Sequence, residues 1–252
     1  MIDWSYFSAC VTGASHDKLG TVCQDAVRCA SEDGWFFAAV SDGAGSAKRA
    51  EEGSCLVVEN TCLAFFECIG TGRRDVLEAI QHSVQAAREA IAAKAEESGS
   101  PLRDFAATLL VVAFGPSGGA SAQIGDGVIA IRQANTTWGW VFWPQRGEYA
   151  NVTRFITDED ALETIEYSRL SPEVIETALM TDGLEPLALH YESRTLHAPF
   201  FEGMMTELRG QPLAGERQLL SDRLKAFLGS QRVRERADDD LTLVMARRLT
   251  EK

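Results

Sequence analysis

A chain of 252 residues with 45% hydrophobic and 24% charged side chains has the apolar content for a packed core and is too ordinary in composition for a disordered or fibrous chain. Its formal charge of −13, from 24 basic against 37 acidic residues, argues against nucleic acid or an anionic membrane as the main partner, since both need a basic footprint. No stretch reads as a membrane span, and Met1-Ile2-Asp3-Trp4 lacks the basic start of a signal peptide, so one cytoplasmic domain over residues 1–252 is expected.

In chain order, Trp35 to Ser41 is an apolar, aromatic run that stops at Asp42-Gly43, the pattern of a buried strand ending in a turn. A helix capped by Ser46 should follow and run to about Phe66. A second is expected from Val76 to Glu97, where Leu77, Ile80, Val84, Ala87 and Ile91 recur at helical spacing. Asp75 and Glu78 form its capping box, and Ser98 to Pro101 ends it. Ala106 to Phe114, apolar without alternation, predicts a strand buried on both faces. Ala120 to Ile124, Val128 to Arg132 and Trp138 to Phe142 follow at short spacing as an antiparallel meander. Pro144 to Leu170 reads as irregular and mobile, Glu176 to Thr181 as a strand ending in Asp182-Gly183, and Glu185 to Leu228 as largely helical. Leu241 to Arg247 closes the chain as a strand entered from Asp238-Asp239-Asp240. Many strands with two early helices predict sheets packed face to face with helices outside.

The six cysteines, at 10, 23, 29, 55, 62 and 68, include no Cys-x-x-Cys pair and read as free, mostly buried thiols. The chemistry lies with the aspartates. Three apolar runs end in Asp-Gly, at Asp42, Asp126 and Asp182; Asp239-Asp240 opens the final strand, and Asp25 adds a fifth acidic point. A single Asp-Gly is ordinary turn chemistry, but a carboxylate at the end of a buried strand each time is not a turn requirement. Converging carboxylates repel by about 4 kcal/mol per pair at 4 Å and an effective dielectric near 20. Cations relieve that, and an all-oxygen donor set suits Mg²⁺ or Mn²⁺.

Five segments in order, Cys23-Gln24-Asp25-Ala26, Val40-Ser41-Asp42-Gly43-Ala44-Gly45-Ser46, Ile124-Gly125-Asp126-Gly127, Met180-Thr181-Asp182-Gly183-Leu184 and Asp239-Asp240-Leu241-Thr242, resemble the metal-dependent protein phosphatases of type 2C, in their compact bacterial branch. The resemblance implies an α+β fold, a central antiparallel β-sandwich flanked by helices on both sides in α-β-β-α layers. It implies Mn²⁺ or Mg²⁺, two ions and a third weaker one. Asp42 would bridge the first two, with the Gly43 carbonyl on one of them. Asp182 and Asp239 would complete the first ion's ligands, Asp25 would act through bound water, and Asp126 would help hold the third. Asp42, Asp182 and Asp239 thereby take the catalytic roles. A metal-bridging hydroxide would attack phosphoserine or phosphothreonine of a phosphorylated protein substrate directly.

Three departures from the family pattern stand out. Gln24 replaces a carboxylate, Ala44 stands where eukaryotic members carry a histidine, and Gly20 occupies the place of a phosphate-gripping arginine. They motivate an alternative reading, a weakly active or inactive regulatory or binding module on the same fold; a small-molecule phosphatase is a third. His16, in the loop before Asp25, is the candidate replacement for the arginine as substrate contact. Lys48 and Arg49 read as a solvated helix face, and His82, His190 and His197 have no metal-ligand spacing. Trp138 and Trp140 read as sheet packing.

Overall fold

The apolar runs Trp35 to Ser41 and Ala106 to Phe114 contribute strands with a packed layer on each side. The computed structural model describes residues 3–72, 75–145 and 153–249. In chain order its elements are β1 (Asp3–Val11), α1 (Ala14–Leu19), β2 (Asp25–Glu32), β3 (Trp35–Asp42), α2 (Ala50–Gly70), α3 (Val76–Ser98), a 3₁₀ turn (Leu102–Phe105), β4 (Leu109–Gly115), β5 (Gly118–Ile124), β6 (Val128–Gln133) and β7 (Gly139–Trp140). There follow α4 (Ala161–Thr164), β8 (Glu166–Leu170), β9 (Val174–Met180), a 3₁₀ turn (Asp182–Leu184), α5 (Glu185–Ala188), β10 (Leu189–His190), β11 (Thr195–Leu196), α6 (Ala198–Arg209), β12 (Gly215–Glu216), α7 (Gln218–Leu228), α8 (Gln231–Arg234) and β13 (Leu241–Leu249).

Two sheets face each other, one ordered β2-β3-β4-β5-β8 and the other β12-β1-β13-β9-β6-β7. All of their pairings are antiparallel except the short β1–β12 contact. Side chains alternate between layers, as the two-residue strand period requires. In β3, Phe36, Ala38 and Val40 fill the interior of the sandwich while Phe37 and Ala39 pack under α2 and α3. In β13, Val244 and Ala246 face the sandwich interior, and Leu241, Leu243 and Met245 meet the layer of α6 and α7. The result is the expected α-β-β-α arrangement.

Asp75 caps α3 by accepting from the Leu77 and Glu78 amides, both at 3.0 Å, and Gly99 ends that helix in the left-handed conformation. Several expectations need correcting. Helix α2 starts at Ala50 without a side-chain cap, because Gly45 to Lys48 form turns; Ser46 caps nothing. This helix, against the sequence reading, is long and apolar enough to cross a membrane by length and composition, yet its Val57, Val58 and Phe65 are buried against β3 and α3. The three segments expected as a meander do not form one: β5 pairs with β4 in one sheet and β6 with β7 in the other, since the chain changes sheet between β5 and β6, at Asp126. The third segment shrinks to Gly139–Trp140, and Trp138 instead stacks on Phe201. Pro144 to Leu170 contains α4 and β8, and residues 146–152 of it lie outside the described residues. Strands β1 and β2 were not expected. Only Cys62 and Cys68 among the six free cysteines are buried, fewer than expected.

Candidate active site

The registers bring the aspartates to one end of the sandwich. In the β2–β3 ladder Asp25 sits opposite Asp42. Across the other sheet Met180 pairs with both Val128 and Leu243, so the segments just outside that row, carrying Asp126, Asp182 and Asp239, emerge at one edge. Asp42, Asp126 and Asp182 each place a carboxylate oxygen within 4.8 Å of the others.

The glycines following these aspartates are not there for a left-handed backbone. None of Gly43, Gly127 and Gly183 has a positive φ. What they permit is close backbone approach: a Cβ on Gly43 would lie 2.5 Å from the Ala50 carbonyl oxygen and 2.8 Å from that of Gln24. A Cβ on Gly183 would strike the Asp240 carbonyl, and one on Gly127 would lie 2.7 Å from that of Met180. Each Asp-Gly therefore joins two segments of the site at backbone distance.

Threonines fix the carboxylates and their strands. Thr108 clips Asp42 from both sides, its Oγ1 accepting the Asp42 amide at 2.9 Å and its own amide donating to the Asp42 carbonyl at 2.8 Å. Asp25 Oδ2 accepts from the hydroxyls of Thr181 (2.8 Å) and Thr242 (2.7 Å), whereas its buried Oδ1 has no hydrogen-bond partner among the described residues. Asp126 accepts from Thr153 at 2.6 Å. These residues were missed in the sequence, although Thr181 adjoins Asp182 and Thr242 belongs to the Asp239-Asp240-Leu241-Thr242 segment.

Asp239 and Asp240 divide the labour. Asp240 is buried, accepts the amides of Gly13 (2.7 Å) and Gln24 (2.6 Å), and has His16 Nδ1 3.0 Å from its Oδ2, so its carboxylate is consumed in tying three segments together. Asp239 is exposed, accepts the Asp240 amide on Oδ1 at 2.8 Å, and is among the charges that raise the carboxyl pKa values of Asp42 and Asp182. His16 sits on the short helix α1 rather than in an open loop, with Gly20 as the C-cap at φ 68°. That left-handed position is one an arginine would adopt only with strain. Arg49 pairs with Glu52 and lies over the Phe105 ring, while Lys48 is exposed in the turn before α2. His190 and His197 contact each other at 3.1 Å, away from the cluster, and His82 is exposed.

Electrostatically the site is poised for cations. Burial, then the charges of Asp25, Asp182, Asp239 and Asp126, holds the Asp42 carboxyl well above the usual range. Burial raises Asp25 as well, and burial followed by Asp126 and Asp239 pushes Asp182 up to about 7. Clustered, desolvated carboxylates with an unsatisfied oxygen form a hard, all-oxygen donor set that fits a divalent ion of the Mg²⁺ or Mn²⁺ type.

A profile of protein phosphatase 2C matches residues 12–229. The chain belongs to the protein phosphatase 2C family. It is 34% identical over 257 aligned residues to serine/threonine-protein phosphatase 3 of Escherichia coli (strain K12), covering 97% of this chain and 98% of that one. Its fold resembles that of the catalytic domain of the serine/threonine phosphatase PstP in complex with two manganese ions, with a TM-score of 0.67, 17% identity and 99% and 100% of the two chains covered. The Mycobacterium tuberculosis phosphatase PstP/Ppp gives a TM-score of 0.66 at 16% identity, with both chains fully covered. In this protein phosphatase 2C, Ala44 is buried against Ala47, Ala50 and Ala106. Gln24 spends its backbone on Asp240 and Gly43, and its side-chain oxygen is buried with no hydrogen-bond partner among the described residues.

Proposed function

We propose that this protein phosphatase 2C removes phosphate from phosphoserine and phosphothreonine of protein substrates in the cytoplasm, with Mn²⁺ or Mg²⁺ bound by Asp42, Asp182, Asp239 and the Gly43 carbonyl, Asp25 alongside, and a weaker ion at Asp126. The observation that carries the reading is the convergence of Asp42, Asp126 and Asp182 within 4.8 Å, with carboxyl pKa values raised at Asp42 and Asp182. Bound divalent ions supply positive charge for the phosphate and a water acidic enough to be deprotonated near neutral pH.

The protein's own part is to hold this array rigid. Thr181 and Thr242 turn Asp25 inward, Thr108 locks the end of β3, and Asp240 binds the Gly13 and Gln24 backbones into one wall. With Nδ1 against Asp240, His16 has Nε2 for a phosphate oxygen, which supports its role as substrate contact. The acidic surface, net −13, supports the exclusion of nucleic acid and anionic membranes as partners. The test is phosphate release from phosphopeptides and p-nitrophenyl phosphate after chelation, with Mn²⁺ or Mg²⁺ restored. Hydrolysis in excess chelator sinks the reading, and activity on small esters alone moves the substrate class.

A further inference from the structure

Cys10, near the end of β1, and Cys23, two residues before β2, bring their sulfurs to 3.2 Å, although β1 and β2 lie in different sheets. Both are partly exposed and unbonded. Both sulfurs also lie near the Asp25 carbonyl oxygen, Cys10 at 3.5 Å and Cys23 at 3.9 Å. Each half of the pair leads directly to the metal site. Cys10 is opposite Thr242 in the β1–β13 ladder, and Thr242 donates to the Asp25 carboxylate. Cys23 precedes Gln24, which donates to Asp240 and accepts the Gly43 amide at 3.1 Å, and then Asp25 itself.

We propose that Cys10 and Cys23 are a redox modification site, forming a reversible disulfide that weakens divalent-metal binding at the adjoining aspartates. This rests on the metal site proposed above. A disulfide spans about 2.05 Å between sulfurs, so closing the present 3.2 Å gap draws the two segments together by about 1 Å. Asp25 and Gln24 move with Cys23, because only one or two peptide bonds separate them. The chemistry needs one peroxide. One thiol, as its thiolate, attacks a peroxide oxygen to give a sulfenic acid and water; the second thiol attacks that sulfur and expels a second water. Two thiol protons and two electrons pass to the peroxide, and a dithiol such as dithiothreitol returns them. Cytosolic disulfides of mesophiles are commonly of this transient, sensing kind.

The test uses the full chain. After hydrogen peroxide treatment, alkylation and trypsin, mass spectrometry should find residues 1–18 joined to residues 19–28, and dithiothreitol should separate them. Calorimetric titration with Mn²⁺ should then show affinity lower in the oxidised protein by roughly tenfold, a typical coupling between sites. By reciprocity, saturating Mn²⁺ should raise the reduction potential of the pair by about 30 mV. Cys10→Ser and Cys23→Ser should each bind Mn²⁺ equally before and after peroxide. Absence of the joined peptide overturns the proposal, as does a disulfide that leaves Mn²⁺ affinity unchanged. If the reduced protein itself fails to bind Mn²⁺, the metal site is what has failed.

Discussion

Replacing Asp182 by asparagine should stabilise the metal-free protein while destroying its use of metal. The Asp182 carboxyl is pushed from 3.8 to about 7 by burial and by Asp126 and Asp239. The rise from 3.8 to about 7 corresponds to roughly 4 kcal/mol between the two protonation states. Between pH 3.8 and about 7 the folded state holds more protons at this position than the unfolded state, so stability falls as pH rises through that window. Asparagine keeps the shape and removes the charge. In excess chelator, urea unfolding should show Asp182→Asn more stable than wild type by about 2–4 kcal/mol at pH 8.5 and nearly equal to it at pH 4. Saturating Mn²⁺ should reverse the order, because only the wild type gains from ligand binding. Equal stability of the two proteins at pH 8.5, or a larger gain at pH 4, would refute the picture of a strained carboxylate cluster.

Asp126→Ala should slow turnover yet leave the tightest Mn²⁺ affinity within about threefold by calorimetry, since its proposed role is in the weaker site; loss of the tight site would place Asp126 in the principal pair. Thr242→Val removes a hydroxyl that orients Asp25 at 2.7 Å, so Mn²⁺ affinity should fall about 10-fold or more with the fold retained by circular dichroism. His16→Ala should raise KM severalfold and lower kcat less, the pattern of a contact made in both ground and transition states; an unchanged KM would confine His16 to bracing Asp240.

The sandwich was legible wherever burial on both faces left an uninterrupted apolar run, as in β3 and β4. Strands β1 and β2 hid because polar residues punctuate them: β1 includes Ser5 and Ser8, and β2 has one face partly open to solvent. The sheet change at Asp126 was also invisible, since a short Gly-Asp-Gly connection reads the same within a sheet as between sheets. Of the site, the aspartates could be picked out because they recur at strand ends. Their supports could not, since Thr108, Thr153 and Asp240 act through partners distant in sequence, and nothing local marks a threonine that clips a strand 66 residues away. That the glycines admit the backbones of Ala50, Gln24, Met180 and Asp240 was not readable in the sequence and needed the fold.

The proposed function requires that the strand-end aspartates form a divalent-metal site that hydrolyses phosphoprotein esters. Phosphate release from a phosphothreonine peptide, measured on chelated protein with Mn²⁺ added back, tests it most directly for wild type and Asp42→Asn side by side. Turnover should be absent without metal, recover on addition of Mn²⁺ in the wild type, and fail to recover in a folded Asp42→Asn protein. Hydrolysis by the chelated wild type, or a wild-type rate from Asp42→Asn, would contradict the proposed function.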